Sequence, residues 1–103
     1  MNAHVRAGAE HLARREFLKA ADAFRNALAQ EPDDLEAREG LGVALLRAGD
    51  YARAIEEFDR VLRADAGRAT AQRARSEALM RLGRFDAAVD GLKQAMELDE
   101  ENE

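Results

Sequence analysis

The 103-residue chain has no cysteine and no tryptophan, one proline, one tyrosine and two histidines. Without thiols there is no disulfide framework, no thiolate zinc site and no cysteine nucleophile. His4 and His11 are too few for most histidine-rich catalytic or metal sites. No apolar run approaches the roughly 18 residues that span a bilayer. The N-terminus carries Arg6, Glu10, Arg14 and Arg15 with no apolar segment behind them, so no signal peptide is read. A cytoplasmic chain with no membrane partner is the expectation. The net charge of −5 speaks against general binding to nucleic acid, which needs a basic face.

Large apolar residues are also scarce. Leu, Ile, Val and Phe together number 21, and alanine makes up almost half of the 47% apolar content. That composition lies near the range of disordered chains, so periodicity decides whether this one folds. No stretch alternates at period two for long enough to make a strand. Ala, Leu, Arg and Glu dominate, and all are strong helix formers. The breakers fall in short clusters. Glu31-Pro32-Asp33-Asp34 reads as a turn ending in an N-cap, and Gly49-Asp50 as a left-handed glycine followed by a cap. Ala66-Gly67 and Gly83-Arg84 supply two more. The spacing predicts helices over 2–13, 17–30, 34–47, 51–64, 69–81 and 85–99, joined as antiparallel hairpins by short connections.

Shifted by 34 residues, the chain matches itself without a gap. Phe17 falls on Tyr51 and Phe85, Ala20 on Ala54 and Ala88, and Phe24 on Phe58 and Leu92. Ala27 falls on Val61 and Ala95, Leu28 on Leu62 and Met96, Gly8 on Gly42 and Ser76, and Leu12 on Leu46 and Met80. This period and these residues resemble three tandem tetratricopeptide repeats, over 1–34, 35–68 and 69–102. The middle repeat carries the fullest pattern, with Leu41-Gly42, Gly49-Asp50-Tyr51, Ala54 and Phe58. The first has Gly8, Phe17, Ala20, Phe24 and Pro32, and the third has Gly83, Phe85 and Ala88.

The resemblance implies an all-α, right-handed superhelical α-solenoid of three antiparallel helix pairs, with the first helices lining the inner face. Small residues at Gly8, Gly42 and Ser76 are expected to let each first helix approach its partner, where Ala20, Ala54 and Ala88 face them. Stacked repeats bury apolar faces that one repeat cannot bury alone. The chain departs from the family pattern in four places. His4, Arg38 and Gln72 stand at its first aromatic position. Arg75-Ser76 replaces Leu-Gly in the third repeat, and the late proline survives only as Pro32. Arg15 occupies the turn position of Gly49 and Gly83, where a left-handed arginine costs about 1 kcal/mol or more, so a differently shaped turn is expected there.

Few residues suggest chemistry. His4 and His11 share a helix face, but a metal wants i,i+4 spacing or a third ligand, and a structural role is expected. Gly40 and Gly42 form a short G-x-G inside a helix, not a phosphate loop. Glu56 with Arg60, Asp59 with Arg63, and Glu77 with Arg81 have the spacing of i,i+4 pairs on exposed helices. The acidic tail 99–103 reads as a solvated end, and Arg14, Arg15 and Glu16 as a turn cluster. No cofactor, metal or catalytic role is expected.

The inner face is the better candidate. Its expected positions are Val5, Arg6, Ala9 and Leu12 in the first repeat, then Glu39, Val43, Leu46 and Arg47. Arg73, Glu77, Met80 and Arg81 follow in the third, with Leu46 and Met80 accessible. Apolar residues along the middle and charges at the margins suit a partner's extended peptide or amphipathic helix. Chaperone-binding members of the family clamp a peptide's terminal carboxylate with Lys, Asn and Arg. The matching positions here are Val5, Ala9, Gly40, Thr70 and Ala74, so the clamp is absent. The expected function is a non-catalytic protein-interaction module, with a structural, oligomerising or spacer segment of a larger protein as the alternative. The last hairpin has no further helix to cover it. Val89, Leu92 and Met96 are expected to be covered there by a second copy, a lattice neighbour or a further segment of a longer parent. Homo-oligomerisation through that helix is therefore a second expectation.

Overall fold

The computed structural model describes residues 2–101. Six helices account for most of them: α1 (Ala3–Ala13), α2 (Phe17–Gln30), α3 (Leu35–Arg47), α4 (Tyr51–Ala64), α5 (Ala69–Arg81) and α6 (Phe85–Glu101). Among the described residues there is no strand. Local chemistry explains where three helices begin. Asn2, Asp34 and Asp50 stand just before α1, α3 and α4, and their side-chain oxygens accept from the amides of His4 (2.7 Å), Ala37 (3.1 Å) and Arg53 (3.4 Å). These bonds satisfy donors that the helix itself cannot. α2 and α5 have no such cap.

All three hairpins turn the same way. The amide of Glu16 returns to the carbonyl of His11 (2.9 Å), that of Asp50 to Leu45 (2.8 Å), and that of Arg84 to Leu79 (2.8 Å). The residue before each is left-handed: Arg15 at φ 61°, Gly49 at 89° and Gly83 at 80°. The expectation of a different turn at Arg15 is therefore corrected. The arginine accepts the strained conformation and gains local contacts. Its guanidinium lies 5.5 Å over the Phe17 ring, a favourable cation–π geometry. Beside it, Glu16 is bonded by His11 (3.2 Å) and Lys19 (3.3 Å), and these two hold its carboxyl below the usual carboxylate range. His11 thus serves the turn, as a structural histidine.

Consecutive helices pack against each other, α1 also touches α3, and α3 also touches α5. No corresponding contact joins α2, α4 and α6 among the described residues. The first helices therefore converge while the second helices fan apart, which curves the stack and leaves α1, α3 and α5 along its inner face.

Aromatic rings set the helix spacing. A Cβ at Gly8 would lie 2.7 Å from the Phe24 ring, and one at Gly40 would lie 2.5 Å from it. The ring therefore sits between α1 and α3, where only hydrogens fit. Phe58 closes on Gly42 in the same way, at 2.6 Å. Ala20, Ala54 and Ala88 are fully buried, and the atoms nearest a Cβ at Gly8 and Gly42 belong to the rings of Phe24 and Phe58. In the third hairpin a Cβ at Gly91 would come 2.2 Å from the Ser76 hydroxyl, which is itself buried without a hydrogen-bond partner.

The charges are placed differently from the expected i,i+4 pairs. Arg60 bonds Glu57 (2.9 Å), Asp59 bonds Arg75 (2.6 Å), and Glu77 bonds Arg47 (2.5 Å). The last two link helices of neighbouring repeats, where sequence spacing alone shows no partner. Arg38, at an aromatic position of the family pattern, donates to both oxygens of the buried Glu57 carboxylate (3.2 and 3.3 Å) and to the Pro32 carbonyl (3.1 Å). An ion pair thus occupies the place of an aromatic contact in the middle repeat.

Candidate functional site

The inner face contains a cavity of about 310 Å³ where α1, α3 and α5 meet. Val5, Ala9 and Leu12 form one wall and Val43 and Gly40 the other, with Phe24 behind. Glu36, Glu39 and Thr70 stand at its edge. The cavity is open because Ala9 on α1 is small and because Gly40 adds no side chain in front of the Phe24 ring. Glu39 accepts from Arg68 (3.2 Å) and from the Thr70 hydroxyl (2.7 Å). Glu36 is exposed and is in no ion pair among the described residues. The site is thus an apolar recess with a carboxylate rim.

Five of the residues expected on the inner face line this recess: Val5, Ala9, Leu12, Glu39 and Val43. Arg47 and Glu77 lie further along the face and bond each other across α3 and α5. Met80 and Arg81 are exposed beyond them, outside the recess, and Arg6 is exposed outside it at the other end. Arg73 is tied to Asp99 on α6. Leu46 does not belong to the face. It is 3% exposed and part of the core, which corrects the expectation of an accessible side chain. The reason is the position of α3, which is packed by α1, α2, α4 and α5. Only a narrow strip through Glu36, Glu39, Val43 and Arg47 is left for the inner face.

Sequence reasoning missed Glu36 and did not count Gly40 or Thr70 among the binding residues. Glu36 was legible: it stands three before Glu39 and seven before Val43, the helical spacing of one face. Thr70 follows from the repeat, one period after Glu36.

A larger hollow of about 430 Å³ opens between α4 and α5, lined by Asp59, Leu62, Arg63, Gln72 and Arg75. Within it Arg75 and Asp59 are paired with each other (2.6 Å). Among the described residues no three His, Asp or Glu side chains are grouped to hold a metal ion. No helix among the described residues is long and apolar enough to cross a membrane.

The tetratricopeptide repeat family model matches residues 5–69 and 45–102. Among solved structures, MamA from MSR-1 is similar at 25% identity and a TM-score of 0.87, over 93% of this chain and 55% of that one. MamA from AMB-1 is similar at 26% identity and a TM-score of 0.88, over 94% and 57%. This chain thus spans little more than half the length of those proteins. The second tetratricopeptide domain of Spaghetti (RPAP3), solved with the HSP90 peptide SRMEEVD, has a TM-score of 0.89 at 16% identity, over 93% of this chain and 89% of that one. Among curated proteins none matches.

Proposed function

The chain belongs to the tetratricopeptide repeat family, and from that premise we propose that it is a non-catalytic module that binds a segment of another protein on its inner face. The observation that carries this reading is the recess formed by Val5, Ala9, Leu12 and Val43. Its volume of about 310 Å³ accommodates one large apolar side chain. A binding face of this kind needs an apolar anchor point and a few polar groups to orient the ligand.

The rim narrows the class of ligand. Glu36, exposed and in no ion pair among the described residues, favours a Lys or Arg next to the apolar anchor and opposes an acidic segment, while Glu39 is already held by Arg68 and Thr70. The RPAP3 domain was solved with a peptide ending in Glu-Glu-Val-Asp. Here the positions matching the family's carboxylate clamp are Val5, Ala9, Gly40, Thr70 and Ala74, which offer a terminal carboxylate no cation. The preferred ligand is therefore an internal, basic–apolar segment.

Selection of a displayed random-peptide library on the immobilised chain tests this. The expected peptides share an apolar residue beside Lys or Arg, and they bind at least about tenfold more weakly to Val43→Glu. Peptides that are acidic, or that bind Val43→Glu equally well, would contradict the proposal. An oligomerising or spacer role is the second reading, supported by the exposed apolar face of α6.

A further inference from the structure

Phe85, Val89, Leu92 and Met96 lie along one side of α6 and are 61, 48, 37 and 64% exposed. In the other repeats the same positions hold Phe17, Ala21, Phe24 and Leu28, and Tyr51, Ile55, Phe58 and Leu62. None of those eight is exposed, because α3 covers α2 and α5 covers α4. The α6 stripe is the one such face without a cover among the described residues.

Three occupants are conceivable. One is a further segment of a longer chain; the other two are copies of this one, and the molecule distinguishes between them. A head-to-tail copy would dock α1 on α6 as α3 docks on α2. That would put Glu10 at the place of the fully buried Ala44, and the long, charged Arg6 at the place of Gly40. Both Arg6 and Glu10 are exposed here, so the first helix has a polar outer side that does not fit the stripe.

The third occupant is the same stripe on a second copy. Phe85 lies as far before the midpoint between Asp90 and Gly91 as Met96 lies after it, and Val89 as far before it as Leu92 after. Two α6 helices packed antiparallel about a two-fold axis at that midpoint place Phe85 against Met96 of the other copy, and Val89 against Leu92. Aromatic–thioether and branched aliphatic contacts both suit such pairing. Asp86 and Lys93 fall on the same flank of the stripe by helical spacing. The two-fold axis sets each Lys93 beside Asp86 of the other copy. Neither forms an ion pair within the chain among the described residues. Such a face is self-complementary, as a two-fold interface must be.

We propose that the chain self-associates tail to tail, as a two-fold dimer through Phe85, Val89, Leu92 and Met96 of α6, with its register fixed by Asp86 and Lys93. This surface is separate from the inner-face recess. Sedimentation equilibrium of the 1–103 chain over a concentration series tests it. The expected mass rises from one chain, 11.4 kDa, to a limit of two. Met96→Lys and Leu92→Lys, each checked for unchanged helicity by circular dichroism, should remain monomeric. Asp86→Lys or Lys93→Asp alone should weaken association about tenfold by opposing like charges twice, and the double exchange should restore it. A constant monomer mass, a limit beyond two copies, or a dimer indifferent to Met96→Lys would overturn the proposal. So would a double exchange that fails to restore association.

Discussion

The two joints between repeats are built from different materials. At the first, where α2 meets α3, the Phe24 ring is seated against Gly40 of the next repeat while resting on Gly8 of its own. No ion pair among the described residues crosses that joint. At the second, where α4 meets α5, Ala74 stands one period after Gly40 and the ring of Phe58 closes on Gly42 of its own hairpin. Charges do the joining there: Arg75 with Asp59 and Arg47 with Glu77. A hollow of about 430 Å³ remains beside them. One helical period therefore tolerates both a dry, ring-filled joint and a wetter, ion-paired one. The first draws on burial of apolar surface, the second on pairs that are partly exposed and screened by salt.

The largest expected effect breaks the first joint. Phe24→Ala removes the ring that spaces α1, α2 and α3, and should cost about 3–5 kcal/mol in urea unfolding, with little dependence on salt. A loss below about 1 kcal/mol would mean the ring does not organise that joint. Next comes the third hairpin, where Gly91 of α6 lies against Ser76 of α5 with no ring between them. Gly91→Ala alone should destabilise by about 1 kcal/mol despite alanine's better helix propensity, because its methyl meets the Ser76 hydroxyl. Combined with Ser76→Ala, which also removes a buried unpartnered hydroxyl, it should give a chain about 1 kcal/mol more stable than the parent. Thermal melts of the two single variants and the double variant supply the comparison.

The second joint should respond more weakly. Asp59→Asn should cost less than about 1 kcal/mol, and the difference from the parent should shrink in about 1 M salt. Equal salt sensitivity of Phe24→Ala and Asp59→Asn would erase the distinction between the joints. The smallest effect concerns the Arg15 turn. Arg15→Gly relieves the left-handed strain but loses the contact with Phe17, and the balance should be a gain of about 0.5 kcal/mol.

Elements, the glycine turns and the repeat were legible because each is written locally, whereas the Arg15 turn was misjudged because its strain is offset by contacts with Phe17 that the sequence does not display. Asp34 and Asp50 announce their helices, and a 34-residue shift aligns Phe17, Tyr51 and Phe85 without a gap. The recess was partly legible, since Val5, Ala9, Leu12, Glu39 and Val43 follow from one helical face repeated. Leu46 was misplaced because its burial depends on how many helices surround α3, a quantity set by the whole stack. Arg38–Glu57, Arg47–Glu77 and Arg75–Asp59 were not legible for a related reason. Each joins residues 16 to 30 positions apart, whereas sequence spacing exposes only charges within a turn or two of each other. The role of Gly40 was hidden too, because a glycine within a helix shows its purpose only when the ring it admits is in place.

The central claim is that the recess between α1, α3 and α5 is the binding face. Its most direct test is an amide NMR map of the chain titrated with a basic–apolar peptide from the library selection. The expected shifts cluster at Val5, Ala9, Leu12, Glu36, Glu39, Val43 and Thr70, and they vanish in Val43→Glu while α6 is undisturbed. Shifts centred instead on Asp59, Leu62 and Gln72, or on the α6 stripe, would contradict it.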